Sequence, residues 1–453
     1  MRSLAVTCLK GLIFKNHMFV ETETFVKAET AEAETAQKPV LTIFYQFSPW
    51  QSSLGGIQSI IRSFIKYAPS DFEVRLVGVG SGDESMPPGQ WHKTEYAGRT
   101  LWFLPLFDLP EDNVRQLIPT SVRYTLALLK RDLSSDFMHF HRMEPAIASF
   151  RWAGRKLLYI HNDMHQKVKT SSQHRSFLWQ RFPWLYFAME RALLQQFETV
   201  LVCNADTTQF YHSLYPKFSS RISHVRNAVD DEVFYPLSEQ AIDNDRRALA
   251  NELNLADSTQ FFLFAGRLHP QKDPLLLIRS IAALNGLKGR DSEVCSSPNV
   301  HLLIAGAGEL QEAVKAEIER LNLQAQVTLL GTFEQQQLVR FYRVATAFVL
   351  TSLYEGLPVV ALESLSCGTP VITTRAGDTP SVLTPASGIV CEQRQPASVA
   401  QAMAAILSHP ERYPAHACVQ AAQPYRGKSV IRAIYDDMRS QWTKQRKRLQ
   451  ATA

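Results

Sequence analysis

The chain of 453 residues is poor in cysteine, with only six. Cys8, Cys203, Cys295, Cys367, Cys391 and Cys418 are far apart, with no C-x-x-C and no histidine at zinc-ligand spacing. That excludes a disulfide framework and a metal finger, and it fits a reducing cytosol. Charge of one sign is also scarce. Forty-eight Lys+Arg against 43 Asp+Glu leave a net +5, too little over this length for the concentrated basic face that nucleic acid requires. No run of 18 apolar residues free of charge occurs, so no membrane-spanning helix is expected. With 20 Gly and 23 Pro the chain is neither collagenous nor of low complexity, and 45% hydrophobic against 20% charged residues is not the balance of a disordered chain. What remains is a globular protein long enough for two to four domains.

Residues 1–38 stand apart. MRSLAVTCLKGLIFKNHMFV is basic and apolar, and a repetitive Glu/Thr/Ala tract follows it. Lys10 and Lys15 interrupt the apolar run that an export signal would need. The stretch reads as a disordered or non-conforming extension.

From Pro39 onward, short apolar runs alternate with helical periodicity. In the first half, strands are expected at 41–46, 73–80, 137–141, 155–161 and 199–204. In the second they are expected at 261–266, 300–306, 326–330, 347–352 and 370–374, separated by helices at 274–284, 309–321, 336–344 and 357–367. Such alternation implies parallel sheets covered on both faces. The fold class is α/β: two facing, Rossmann-like, doubly wound domains at 39–228 and 229–425, followed by a C-terminal helix segment, 426–453, placed by chain order against the first domain. Ligands of open α/β sheets bind beyond the carboxyl ends of the strands, so a substrate would lie in the cleft between the two sheets.

Residues able to do chemistry cluster at those strand ends. Arg267 and Lys272 follow FFLFAG, five apart in a loop before a helix, where a planar fork and a point charge can converge on a phosphate or diphosphate. A solvated loop whose lysine opens a helix would look the same. Glu355 and Glu363 flank GLPVVAL. Pro358 suits a first helical turn, so the N–H groups of Gly356, Leu357 and Val359 are open to phosphate. The two carboxylates would accept hydrogen bonds from sugar hydroxyls, although glutamates eight apart also arise by chance. Gly55 and Gly56 precede a helix directly after the first strand, where the backbone can approach a ligand closely; an ordinary turn pair is the alternative. Gly306-Ala307-Gly308 reads as a tight turn, since Gln311 stands where a dinucleotide fingerprint needs its third glycine. His139, His141 and Arg142 end one strand, and His161, Asn162 and Asp163 end the next. Histidines there can donate hydrogen bonds or shuttle protons, or simply be buried; too few ligands gather for a metal.

Three segments in order, AGRLHPQKDP, LIAGAGE and SLYEGLPVVALESLSCGTPVITT, resemble the retaining glycosyltransferases of the GT-B fold, family four, also described as group 1 glycosyl transferases. RNAVDDEVFYP (226–236) is similar to that family's interdomain segment, with Ala228 in place of its usual glycine. The resemblance runs from about Pro39 to the C-terminal helix. It implies a retaining, metal-independent hexosyl transfer from a UDP- or GDP-sugar to a saccharide or lipid-linked acceptor, in cell-surface polysaccharide or glycolipid synthesis, with no cofactor. By position, Arg267 and Lys272 would hold the donor diphosphate, Glu363 the ribose, and Glu355 the transferred sugar. Gly55 and Gly56 match the glycine loop, His161 the active-site histidine, and Thr332 and Phe333 the base-contacting segment after QVTLL. Helix-start residues Gly356, Leu357, Pro358 and Val359 complete the expected donor site.

Between Arg151 and Arg191 eight basic residues face two acids, with Trp152, Phe177, Trp179, Phe182, Trp184, Tyr186 and Phe187 interleaved. This stretch could touch an anionic membrane, giving a protein of the cytoplasm or its membrane's inner face. Core-facing aromatics beneath a solvated basic surface account for it more simply. Two rival readings stay open: an epimerase or phosphorylase on the same fold, and a non-catalytic nucleotide-sugar-binding protein.

Overall fold

Runs such as VLTIF and QFFLFA carry apolar residues on both pleat faces, so as strands they are stable only when covered on both sides. The computed structural model, which describes residues 38–50, 55–109, 118–161, 183–288 and 299–452, places them accordingly. Most of the N-terminal extension, together with Asn162, Asp163 and the centre of the basic aromatic stretch, lies outside the described residues.

The first sheet contains β1 (Val40–Phe44), β2 (Glu73–Gly80), β3 (His92–Tyr96), β4 (Arg99–Asp108), β5 (Phe137–Phe140), β6 (Arg155–Ile160), β7 (Thr199–Val202) and β8 (Ile222–His224). The second contains β9 (Gln260–Ala265), β10 (Val300–Ala305), β11 (Val327–Gly331), β12 (Ala345–Leu350), β13 (Val371–Thr374) and β14 (Gly388–Cys391). Six helices matter for the site: α1 (Gly56–Lys66), α2 (Ala205–Leu214), α3 (Pro274–Lys288), α4 (Gln335–Val344), α5 (Val359–Ser366) and α6 (Gly427–Thr452).

Strand order is β3-β4-β2-β1-β5-β6-β7-β8 in one sheet and β11-β10-β9-β12-β13-β14 in the other. Except for the antiparallel β3–β4 pair, every pairing is parallel. Each order reverses once, between β1 and β5 and between β9 and β12. Crossovers leave opposite faces at such a point and open a crevice at the strand ends.

Alternation along the strands divides the core in two on each sheet. Leu41 and Ile43 join α1 on one face while Phe44 meets the cluster on the other. Phe261 and Leu263 point away from Phe262 and Phe264 in the same manner. The first sheet's α1 face is completed from the far end of the chain: Ile431, Tyr435 and Met438 of α6 are buried there. Tyr435 also donates its hydroxyl to the Phe64 carbonyl at 2.9 Å. Burial of three such side chains contributes about 2 kcal/mol each. The backbone therefore crosses between the sheets twice, and the crossings touch: Val229 bridges Arg426, and Gly427 N–H donates to the Val229 carbonyl at 2.7 Å. Beside them, Asp230 accepts from Lys66 Nζ at 2.7 Å and from the Tyr67 hydroxyl at 2.7 Å.

Candidate active site in the interdomain cleft

The two crevices face one another across a cleft of about 530 Å³. Its walls include every residue singled out above for the donor site: Gly55, Gly56, His161, Arg267, Lys272, Thr332, Phe333, Glu355, Gly356, Leu357, Pro358, Val359 and Glu363.

On the second-domain side, β9 ends at Ala265, and the loop to α3 carries Arg267, exposed on the cleft wall, and Lys272. The loop is held from β12. Thr351, fully buried, donates its hydroxyl to the Lys272 and Asp273 carbonyls at 3.0 and 2.8 Å. Asp273 in turn caps the start of α3 through Leu276 N–H at 3.1 Å. Lys272 does not turn outward as a mere helix opener. Its Nζ lies 2.6 Å from Glu355 Oε1, which also accepts from the Ser352 hydroxyl at 2.7 Å. The two residues thus form a partly buried ion pair at the mouth of the β9–β12 crevice.

Pro358 is the N-cap of α5, whose first helical residue is Val359. Glu363, one turn on, is not on the helix surface: it is 3% exposed and accepts from Tyr342 Oη at 2.9 Å and from Gln335 Nε2 at 3.4 Å. Burial pushes its carboxyl up to about 7, with those two hydrogen bonds pulling the other way. Near neutral pH it therefore stands ready to take hydroxyl donors from a ligand, which would favour its charged form.

Two glycines set the closeness of the walls. A Cβ on Gly306, at φ +143°, would fall 1.9 Å from the Gly266 carbonyl oxygen, so the ends of β9 and β10 can meet only without a side chain there. A Cβ on Gly356 would lie 2.9 Å from the carbonyl oxygen of His161, which belongs to the opposite domain.

On the first-domain side, α1 starts at Gly56 with Gly55 N–H donating to Gln58 Oε1 at 2.7 Å. Beneath α1 lie His139, His141, Tyr159 and His161. Burial drives His139 and His161 down to about 3 and His141 well below its ordinary value, so all three are neutral at physiological pH. Arg142 also lines this wall, paired with Glu144 at 2.7 Å.

Several contacts that join the walls were not legible in the sequence. Gln335 Nε2 reaches Ser59 Oγ at 3.1 Å as well as Glu363. Asn227 Nδ2 donates to the Leu357 carbonyl at 2.5 Å. Asp378 accepts from Asn204 Nδ2 at 2.7 Å and from Ala205 N–H at 3.0 Å, sitting at the N-terminus of α2. Among the described residues no group of three or more His, Cys, Asp or Glu is placed to hold a metal ion, and no helix is long and apolar enough to cross a membrane.

Comparison with known proteins agrees with this architecture. Residues 245–423 match the family model described as glycosyl transferases group 1. D-inositol 3-phosphate glycosyltransferase from Segniliparus rotundus is 31% identical over 197 residues, 42% of this chain and 40% of that protein, so the chain matches less than half of that relative's length. Sucrose-phosphate synthase from Thermosynechococcus elongatus superposes with a TM-score of 0.66 at 17% identity, over 92% of this chain and all of that one. Anabaena HepE, solved in complex with UDP-glucose, superposes at 0.63 with 15% identity, over 89% of this chain and all of that one.

Proposed function

Since residues 245–423 belong to the group 1 glycosyl transferases and the described chain has the GT-B fold, we propose that the protein transfers a hexose from a UDP- or GDP-sugar to a saccharide or lipid-linked acceptor, with retention of configuration and without a metal, as a family four enzyme. The observation that carries the reading is the convergence of Arg267, the Lys272–Glu355 pair and buried Glu363 at facing strand ends in one cleft. The UDP-glucose held by the HepE structure supports a nucleotide-sugar donor.

In this reading the donor diphosphate lies against Arg267, Lys272 and the N–H groups at the start of α5. Glu363 takes the ribose hydroxyls and Glu355 those of the hexose, while Thr332 and Phe333 border the base. As the sugar–phosphate bond lengthens, positive charge grows at the anomeric carbon and negative charge on the diphosphate. Fixed cations and backbone dipoles aimed at that diphosphate stabilise the leaving group at no reorganisation cost. The acceptor hydroxyl attacks from the same face, and its proton passes to the departing phosphate oxygen. For a lipid-linked acceptor, the exposed apolar side chains Ile118, Val122, Leu126 and Leu129 offer a first-domain surface for peripheral contact with the inner face of a membrane.

The test is nucleotide release from a panel of UDP-, GDP- and ADP-hexoses in the presence and absence of saccharide acceptors. Turnover of one donor that stops in Arg267→Ala and Lys272→Ala supports the reading. Absence of both binding and turnover across the panel would leave a non-catalytic role, and nucleotide release coupled to inversion of the sugar alone would point to the epimerase.

A further inference from the structure

The histidines under α1 are arranged more specifically than burial requires. β5 and β6 run parallel in the register Phe140↔Leu158, which brings residues 141 and 159 side by side. His141 lies nearly parallel to Tyr159 with ring centroids 5.5 Å apart and edge to edge with His161 at 5.1 Å, and Tyr159 stacks on His161 at 4.5 Å. Within this stack His141 Nδ1 lies 2.9 Å from His161 Nε2. A neutral imidazole carries one N–H and one lone pair, so one ring donates and the other accepts.

The surroundings decide which. His141 Nε2 is buried with no hydrogen-bond partner. If His161 donated from Nε2, the proton of His141 would have to sit on its own Nε2, as a buried N–H with nothing to receive it. If instead His141 donates from Nδ1, its Nε2 is only an unfilled lone pair, the less rare of the two kinds of buried orphan. Burial keeps both rings neutral, so no doubly protonated form intervenes. The proton of His161 then sits on Nδ1, the nitrogen left for the cleft that this residue lines.

We propose that His141 is a positioning residue that fixes His161 as its Nδ1–H tautomer, so that His161 meets the substrate as a neutral hydrogen-bond donor. The substrate it addresses rests on the glycosyl-transfer reading, whereas the tautomer does not. Held this way, His161 can donate from Nδ1 to a sugar hydroxyl or phosphate oxygen, but that nitrogen has no lone pair with which to remove the acceptor's proton.

The test uses the full chain with 15N-labelled histidine. Long-range 1H–15N spectra at pH 7, assigned with His161→Gln and His141→Phe, report which nitrogen of His161 is protonated. The expected result is Nδ1–H in the unaltered protein and a shift toward Nε2–H in His141→Phe. An Nε2–H form in the unaltered protein, or a tautomer indifferent to His141→Phe, overturns the proposal. With a donor that is turned over, His141→Phe should lower kcat about tenfold, the loss of one well-placed hydrogen bond, at nearly constant donor KM. His141→Asn, whose amide nitrogen falls near the place of Nδ1, should recover most of that loss. His141→Gln, whose amide reaches toward Nε2 instead, should not; equal recovery by both variants would count against a tautomeric role. If no donor is turned over, the functional reading fails while the spectra still decide the tautomer.

Discussion

The two walls of the cleft are built on the same plan and differ in charge. Each is the switch point of a parallel sheet with a helix starting beside it. The second-domain wall carries Arg267, Lys272, Glu355 and Glu363 around one crevice. On the first, Arg142 is paired with Glu144, as Lys272 is with Glu355, but the histidines beside it are held neutral by burial. One fold thus supplies a wall suited to stabilising charge that develops on a leaving group and another suited to orienting hydroxyls by neutral hydrogen bonds.

The strongest way to break the contrast is to discharge the second wall. Lys272→Ala and Arg267→Ala should each lower kcat/KM by about 10³-fold, the scale of losing one preorganised charge at the leaving group. For exposed Arg267 the unfolding transition should stay where it was. A fall below tenfold for both would remove the diphosphate from this wall.

Glu363→Gln separates function from stability. A carboxyl whose folded value is raised from about 4.5 to about 7 adds stability at low pH, and that stability is lost as pH rises through 7. Replacing it should therefore raise the unfolding free energy of the ligand-free protein at pH 8 by about 1–3 kcal/mol while weakening the donor-induced thermal shift. A variant less stable at pH 8 would contradict this account of the buried carboxylate.

On the first wall the sign reverses. His139 is fully buried, neither ring nitrogen has a partner, and its folded value is lowered to about 3. It contributes stability above pH 6.5 that is lost as pH falls toward 3. His139→Leu should flatten the acid side of the stability profile, sparing about 2 kcal/mol between pH 6.5 and pH 5; an unchanged acid limb in a pH series of denaturant titrations would refute it. The smallest effect is expected where the walls touch. Asp378→Ala removes the carboxylate at the start of α2 and should cost about 1 kcal/mol or less, with a small rise in radius of gyration by solution scattering.

The ten strands expected from apolar runs are all present, because a strand covered on both faces must be apolar throughout. Four others were illegible. β3, HKTEY, lies at the sheet edge, and its partner β4 contains Pro105; β8 has three residues and β14 four, too few to show a period. For the site, strand-end position and motif spacing were sufficient to gather its residues into one cleft. They could not show which way Glu363 points, since its partners Tyr342 and Gln335 come from α4, or that Lys272 meets Glu355 from another strand. The alternation 139, 141 and 159, 161 was visible in the sequence, but only the register of β5 on β6 turns it into a bonded stack.

The helix α6 also imposes an order on assembly. Ribosomes release a chain from its N-terminus at about 5–20 residues per second, yet the first domain's core includes Ile431, Tyr435 and Met438. The second domain, whose strands end at Cys391, can close its sheet while the first still shows an uncovered apolar face. The domain begun first is thus the one finished last, and the nascent protein carries that bare surface until the first half of α6 emerges and docks.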